Sequence, residues 1–458
     1  MGLGPSTQQR LTGVLGPRRA VSDPEHLEPY GTDESGLGYF PPDAVALAQE
    51  TREVREVLSM AALDRVPVTP RGLGTGMTGG ALPVQGGIVL SVERMARIRD
   101  IDRSNLVAVV EPGVITGALQ QAVEAEGLFY PPDPASLDSC SLGGNVAENA
   151  GGPRAFKYGV TREYVLGLEL ALMGGETMRV GRRTVKGVTG LDLAALVVGS
   201  EGILAVVTEI TLKLLPRPQA VATFIAQFTD AVRACEAVTR MIEQGHRPRT
   251  LEFLDGHVLE YLRRGGGWSI PPEAGALLLV ELDGEAEAME SQLLGAAQLC
   301  ESAGAVQIHV ATDEARRRQM WDMRRGANPA LKEHFRFKVS EDVVVPRAAI
   351  PEMVRRLDHL AVEHDVLIAT FGHAGDGNLH VNVLTNDEEV RDRVEPVLRG
   401  IFEQALDLGG TLSGEHGIGI AKRRFMSMEQ SPQVLQLQRE LKRVFDPLGL
   451  LNPGKLLP

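Results

Sequence analysis

Apolar residues recur every three or four positions between Thr51 and Arg65, at Val54, Val57, Leu58 and Ala61, a spacing that predicts a helix with one buried face. Val66-Pro67-Val68-Thr69 then reads as a strand, and apolar runs at 88–92 and 106–110 predict two more. Thr116 opens a helix carrying Leu119, Ala122 and Val123 on one face, which stops at Gly127. Strand-like segments flank the Gly174-Gly175 turn, and Ile203 to Leu215 alternates as a strand does. Pro216-Arg217-Pro218 breaks the pattern and marks a domain boundary. Beyond it, strands near 221–228, 276–282, 305–311, 339–345 and around 366–384 alternate with helices near 229–244, 285–303, 313–334 and 349–364. That alternation predicts a sheet covered by helices, in the form of two ferredoxin-like βαββαβ units. The chain is read as α+β. It divides into a polar N-terminal segment over 1–36, a first domain over 37–217, a second over 218–444, and a turn-rich apolar tail over 445–458 that docks back.

A length of 458 residues suits two or three domains. The 47 basic against 60 acidic side chains leave a net charge of −13, which speaks against a binder of nucleic acid or of an anionic membrane. Cys140, Cys235 and Cys300 are scattered, with no C-x-x-C, so neither a disulfide framework nor an iron–sulfur centre is expected. No apolar run approaches the ~18 residues of a membrane span. The expected location is the cytoplasm, with any membrane contact made through a partner.

The 51 glycines exceed ordinary usage and concentrate in loops. The first, Pro70-Arg71-Gly72-Leu73-Gly74-Thr75-Gly76-Met77-Thr78-Gly79-Gly80, satisfies G-x-G-x-x-G, and Glu93 lies about twenty residues on. A dinucleotide fold would need a helix to follow. Ala81 to Gly87 leads into a strand instead, and no Lys-Ser/Thr makes a P-loop. The loop is left as a nest of backbone amides for an anion. Two more follow, Gly143-Gly144-Asn145 to Asn149-Ala150-Gly151-Gly152 with Lys157-Tyr158-Gly159, and Gly199-Ser200-Glu201-Gly202-Ile203. Each alone reads as a turn; together they favour a large phosphate-containing ligand that needs close backbone approach.

These loops resemble the FAD domain of the vanillyl-alcohol oxidase type, and the ending Phe445-Asp446-Pro447-x-Gly449-Leu450-Leu451-Asn452-Pro453-Gly454-Lys455 is similar to it as well. The resemblance implies a two-subdomain FAD-binding domain with a ferredoxin-like α+β cap. It implies an extended FAD with its pyrophosphate on the 71–75 loop. The cofactor-binding residues it implies are Pro70, Arg71, Gly72, Gly74, Thr75, Gly143, Gly144, Asn145, Asn149, Gly151, Gly152, Tyr158, Gly159, Glu201, Gly202, Ile203 and, returning to the flavin, Asn452. The first loop has no His or Cys for a covalent link, so the FAD is expected to be non-covalent.

The second half carries Phe371-Gly372-His373-Ala374-Gly375-Asp376-Gly377-Asn378-Leu379-His380-Val381-Asn382. Asp-Gly between alternating runs signals a hairpin. With Asp376 and Gly377 as the two turn residues, His373 sits opposite His380, and Asn382 shares their face. Two imidazoles so placed can share a divalent ion. Ser413-Gly414-Glu415-His416-Gly417 offers Glu415 as a carboxylate ligand, leaving positions open to substrate, and His416 as a base. Zn, Mn or Fe would suit that set.

Gly372-His373-x-Gly375-Asp376-Gly377-Asn378-x-His380-x-Asn382 with Gly414-Glu415-His416-Gly417 resembles the flavin-dependent 2-hydroxy-acid dehydrogenases, a group that includes D-lactate and D-2-hydroxyglutarate dehydrogenases and the D subunit of glycolate oxidase. By that resemblance His373, His380 and Glu415 hold the metal, His416 is the catalytic base, and Arg324, Asn382 and His416 meet the substrate. The residues alone leave open whether Arg324 is instead a solvated helix charge among Arg316, Arg317, Arg318 and Arg325. Relatives acting on hydroxyglutarate carry a Thr and a Lys where Asn328 and Ser340 align, so a small monocarboxylate such as glycolate or D-lactate is favoured over hydroxyglutarate. The implied reaction passes a hydride from the substrate's α-carbon to the flavin N5 and yields the 2-oxo acid. The competing class is a metal-dependent hydrolase of a phosphorylated substrate. The electron acceptor stays open, a partner iron–sulfur or flavin subunit among the choices, as does a homodimer.

Overall fold

The computed structural model describes residues 3–266, 268–388 and 394–458. It divides into two compact units. One takes the chain up to Gly151, then Gly159–Arg217 and Glu415–Pro458; the other takes Gly152–Tyr158 and Pro218–Gly414. The return to the first unit therefore falls at Glu415, well before the expected tail at Phe445.

In the first unit β1 (Ala20–Val21), β2 (Ala44–Leu47), β3 (Val68–Arg71) and β4 (Ile88–Ser91) form a sheet in the order β1-β2-β4-β3. β2, β4 and β3 are parallel and β1 is antiparallel. Parallel neighbours need a crossover. Between β3 and β4 that crossover is the Gly-rich loop itself, which runs from Gly72 to Gly87 without a helix. The helix Thr51–Asp64 packs its Val54, Val57, Leu58 and Ala61 stripe on this sheet, against Val68, Ile88 and Leu90. Leu451 joins the same core and bridges to Val68, so the tail extends the sheet beyond β3. The N-terminal segment is not simply polar: its helix Pro5–Leu15 buries Leu11 and Leu15 in that core.

The rest of the unit is antiparallel. β5 (Ile98–Asp102), β6 (Val107–Val110), β8 (Val165–Ala171), β9 (Thr177–Gly181) and β10 (Val206–Lys213) stand in the order β5-β6-β10-β8-β9. A short ribbon pairs β7 (Leu128–Phe129) with β11 (Leu215–Pro216).

The second unit is built on one antiparallel seven-stranded sheet. Its strands are β12 (Ala220–Phe228), β13 (Thr250–Asp255), β14 (Ala276–Gly284), β15 (Ala305–Val310), β16 (Phe337–Val344), β17 (Leu367–His373) and β18 (Asn378–Thr385). Their order is β15-β12-β14-β13-β17-β18-β16. The first four, with the helices Ala231–Glu243 and Ala286–Ser302, have the 4-1-3-2 order of a complete ferredoxin-like βαββαβ unit. The last three repeat that order, and the place of a fourth strand is held by the single bridge Val344–Thr411. The two units of the sheet join where β13 pairs with β17.

The apolar pattern gives no element between 245 and 275, yet β13 and the helix Gly256–Gly265 lie there. In β13 the interior-facing Glu252 interrupts the apolar alternation, which is why the strand does not stand out in the sequence. The single helix expected over 313–334 is two, Glu314–Arg325 and Ala327–His334, separated at Gly326. No helix among the described residues is long and apolar enough to cross a membrane.

Candidate functional site

Two constellations carry the chemistry, one in each unit. In the first, a cavity is lined by Pro70 to Met77, by Ser141, Gly143, Gly144 and Asn145, by Ser200, Glu201 and Gly202, and by Glu148, Gly151, Glu415 and His416. Chain topology explains this meeting, because the crossover loop must leave the carboxyl end of β3. Gly72 is needed where a Cβ would run into Ser141 Oγ, and Gly74, at φ 74°, where one would run into the Arg71 guanidinium. Arg71 is 7% exposed; its Nη2 donates to the Pro29 carbonyl at 2.9 Å while Nη1 has no partner, and burial pushes its pKa down. A buried guanidinium with an unfilled donor beside bare backbone amides suits an anion such as the pyrophosphate of FAD, so the cradle fits that cofactor.

Beneath the cavity Glu201 accepts the backbone N–H groups of Ile418 and Gly419, each at 2.7 Å. It thereby pins the loop that presents Glu415 and His416. Thr78 adds a bond from Oγ1 to the His416 carbonyl at 3.2 Å. Burial pushes the Glu201 pKa up in spite of the two N–H donors. Glu148 Oε2 is shut off from solvent with no partner; its pKa is raised well above the carboxylate range, first by desolvation and then by Glu201.

Of the expected cofactor residues, Pro70, Arg71, Gly72, Gly74, Thr75, Gly143, Gly144, Asn145, Gly151, Glu201 and Gly202 line this cavity. The others are placed elsewhere. Asn149, at φ 56°, caps the helix Leu142–Glu148, and its Oδ1 accepts from Arg162 N. Gly159 makes a left-handed turn at φ 79°, and Ile203 is core. Asn452 donates to the carbonyls of Gly80 and Glu201 at 3.0 and 2.7 Å, tying the tail to two of the loops. Gly152 and Tyr158 belong to the second unit, where the Tyr158 hydroxyl donates to Asp283 at 2.8 Å.

In the second unit the hairpin carries the histidines, with one correction. His373 pairs with Asn378, so Phe371, not His373, sits opposite His380. The turn holds four residues, Ala374 to Gly377, and is closed by Gly377 N donating to the His373 carbonyl at 3.1 Å. A register shift of two leaves every side chain on its original face. His373 and His380 are thus diagonal neighbours, with ring centroids 5.2 Å apart and planes at 87°.

Their setting is polar and dry. Glu252 of β13, fully buried, accepts from His373 Nδ1 at 2.6 Å. It also accepts from Arg324 Nε at 2.8 Å and Nη2 at 2.6 Å. Burial alone would raise the Glu252 pKa, but His373 and Arg324 hold it below the ordinary carboxylate range. An ionised Glu252 can only accept, so His373 Nδ1 is the donor of that bond. Asp342 lies 3.8 Å from His380 Nδ1 and accepts from Gly414 N at 2.9 Å, ordering the chain just before Glu415. Two imidazoles beside carboxylates form a donor set that fits Zn, Mn or Fe. Arg324 is 9% exposed and not a solvated helix charge; its guanidinium carbon stands 4.8 Å from the centre of the Phe371 ring. Asn382 is fully buried with its amide engaged, donating to the Ala369 and His380 carbonyls and accepting from Ser340 Oγ at 2.9 Å. Those bonds tie it into the hairpin. Glu252 and Asp342 were missed in the sequence, where Glu252 shows only as a lone acidic residue inside an apolar strand and Asp342 only as the second of the pair Glu341-Asp342.

A family model described as FAD binding domain matches residues 42–181, and one described as FAD linked oxidases, C-terminal domain, matches 217–456. The glycolate oxidase subunit GlcD of Bacillus subtilis (strain 168) is 40% identical over 451 residues, spanning 98% of this chain and 96% of its own. A D-lactate dehydrogenase of Anaerostipes hadrus is 34% identical, spanning 96% and 95%. Among solved structures p-cresol methylhydroxylase has the same fold, with a TM-score of 0.79 at 17% identity over 98% of this chain and 96% of its own.

Proposed function

The chain belongs to the FAD-linked oxidase family, and from that premise we propose that it oxidises a small D-2-hydroxy acid of the glycolate or D-lactate type to the 2-oxo acid. The observation that carries the reading is that His416 lines the same cavity as the Gly-rich loops. A base beside the cofactor cradle is what removal of a hydroxyl proton during hydride transfer requires. Bound FAD supplies the hydride acceptor. Arg71 and the amides of the 72–75 loop would hold its phosphates, without a covalent link, since residues 70–80 contain no His or Cys.

Arg324 binds the substrate carboxylate through the guanidinium edge that Glu252 leaves over, with the Phe371 ring lying against the guanidinium. His416 takes the hydroxyl proton. His373 and His380, with Glu415, would hold a divalent ion, and the two imidazole rings 5.2 Å apart are the supporting observation. Bound there, it would supply Lewis acidity to the α-hydroxyl. The electrons then leave to a separate acceptor, and the subunit named among the relatives supports a partner protein in that role.

The test is an anaerobic visible spectrum of the purified protein before and after D-lactate or glycolate. Bleaching of the flavin band is expected. A flavin that neither acid reduces, in metal-loaded protein, would overturn the substrate assignment.

A further inference from the structure

Glu252 is one carboxylate engaged at both oxygens by two side chains from different elements. Oε1 takes His373 of β17 and Oε2 takes Arg324 of the helix Glu314–Arg325. His373 and Glu252 face each other across the β13–β17 pair, the register that joins the two halves of the sheet. The Arg324 bond is two-pronged, through Nε and Nη2, so the guanidinium plane is fixed as well as its distance. Glu252 is fully buried, which removes water as a substitute partner at its two oxygens.

We propose that Glu252 is a positioning residue that sets His373 for metal binding and Arg324 for carboxylate recognition in one geometry, so that the two functions are lost together. The proposal rests on the metal and carboxylate roles given above. Its physical content is that a single rigid acceptor aligns two donors. On His373 it holds the hydrogen on Nδ1 and turns Nε2 away. On Arg324 it occupies one edge of the fork and presents the other. Gln in its place keeps one acceptor and adds an N–H₂ that must face either His373 Nδ1–H or Arg324. Asp keeps the charge but is one methylene too short to reach both.

Full-length, FAD-loaded wild type, Glu252→Gln, Glu252→Asp and a control, Thr250→Val, are compared. Thr250 is fully buried on the same strand, and its hydroxyl makes no hydrogen bond. Zn²⁺ affinity is read by competition with a chromogenic chelator, and kcat and KM with D-lactate or glycolate, whichever bleaches the flavin. Loss of an outer partner typically weakens metal binding about 10–100-fold. Glu252→Gln is expected to lose Zn²⁺ affinity in that range and to raise KM at least about tenfold, with FAD content and Thr250→Val unchanged. Wild-type Zn²⁺ affinity in Glu252→Gln, or a change in only one of the two readouts, overturns the proposal. Should Glu252→Gln fail to retain FAD, Glu252→Asp decides by the same criteria. A wild type that binds no Zn²⁺, Mn²⁺ or Fe²⁺ overturns the metal reading itself and the coupling with it, a result visible before any variant is made.

Discussion

Replacing Glu201 by Gln tests whether a buried carboxylate holds the His416 loop. Glu201 lies at φ 51° on a Gly-rich turn, 5% exposed, and accepts the N–H groups of Ile418 and Gly419 at 2.7 Å each. A hydrogen bond to a charged group contributes roughly 1.5–3 kcal/mol. Gln can satisfy one N–H, while its own N–H₂ faces the other, so one bond is lost and a buried donor is stranded, about 2–4 kcal/mol together. For a unit of about 250 residues, each kcal/mol moves the melting temperature roughly 2–4 °C. Glu201→Gln should therefore melt on the order of 5–15 °C lower at pH 8, followed by flavin fluorescence. The loop it frees carries His416, and a 1 Å misplacement of a catalytic group can cost about 100-fold in rate. kcat should fall by at least about tenfold even at temperatures where the variant is fully folded. A melting temperature within about 1 °C of wild type together with unchanged kcat would refute the anchoring argument.

Gly417, at φ 82°, has Glu148 Oε2 and, 3.1 Å away, Glu201 Oε1 where a Cβ would go, so Gly417→Ala should cost about 2 kcal/mol or more in urea unfolding monitored by flavin release. Glu148 prefers its proton in the folded state, because burial and Glu201 raise its pKa. The stability this preference gives is complete below the unfolded pKa of about 4.3 and is lost as pH rises through the folded value. Glu148→Gln removes that dependence, so its melting temperature relative to wild type should climb from pH 5 to pH 9; a constant difference would contradict the sign. His380→Ala should retain FAD, seen as an unchanged flavin band, and lose at least about 100-fold in turnover, whereas near-normal turnover would exclude His380 from the metal set.

The sequence determined what periodicity and local chemistry can encode. The amphipathic stripe of Thr51–Asp64, the glycine loops that fit an FAD cradle, and the shared face of His373 and His380 all follow from spacing along one segment. Even the wrong hairpin register kept the histidines on one face, because side chains alternate with period two and the error was two residues. Family resemblance supplied the FAD and the hydroxy-acid chemistry, which spacing alone left open.

The tertiary structure decided whatever depends on residues distant in the chain. Glu252 stands far in sequence from both Arg324 and His373; the β13–β17 pairing brings its carboxylate to His373, and packing of the helix Glu314–Arg325 on the sheet brings Arg324 to it. Arg324 could not be told from its arginine neighbours until its deeper burial separated it from them. Asn382 and Tyr158, plausible ligand groups by position, proved to be engaged with Ser340 and Asp283. A polar side chain's availability depends on which partner reaches it first, and that is a property of packing rather than of composition.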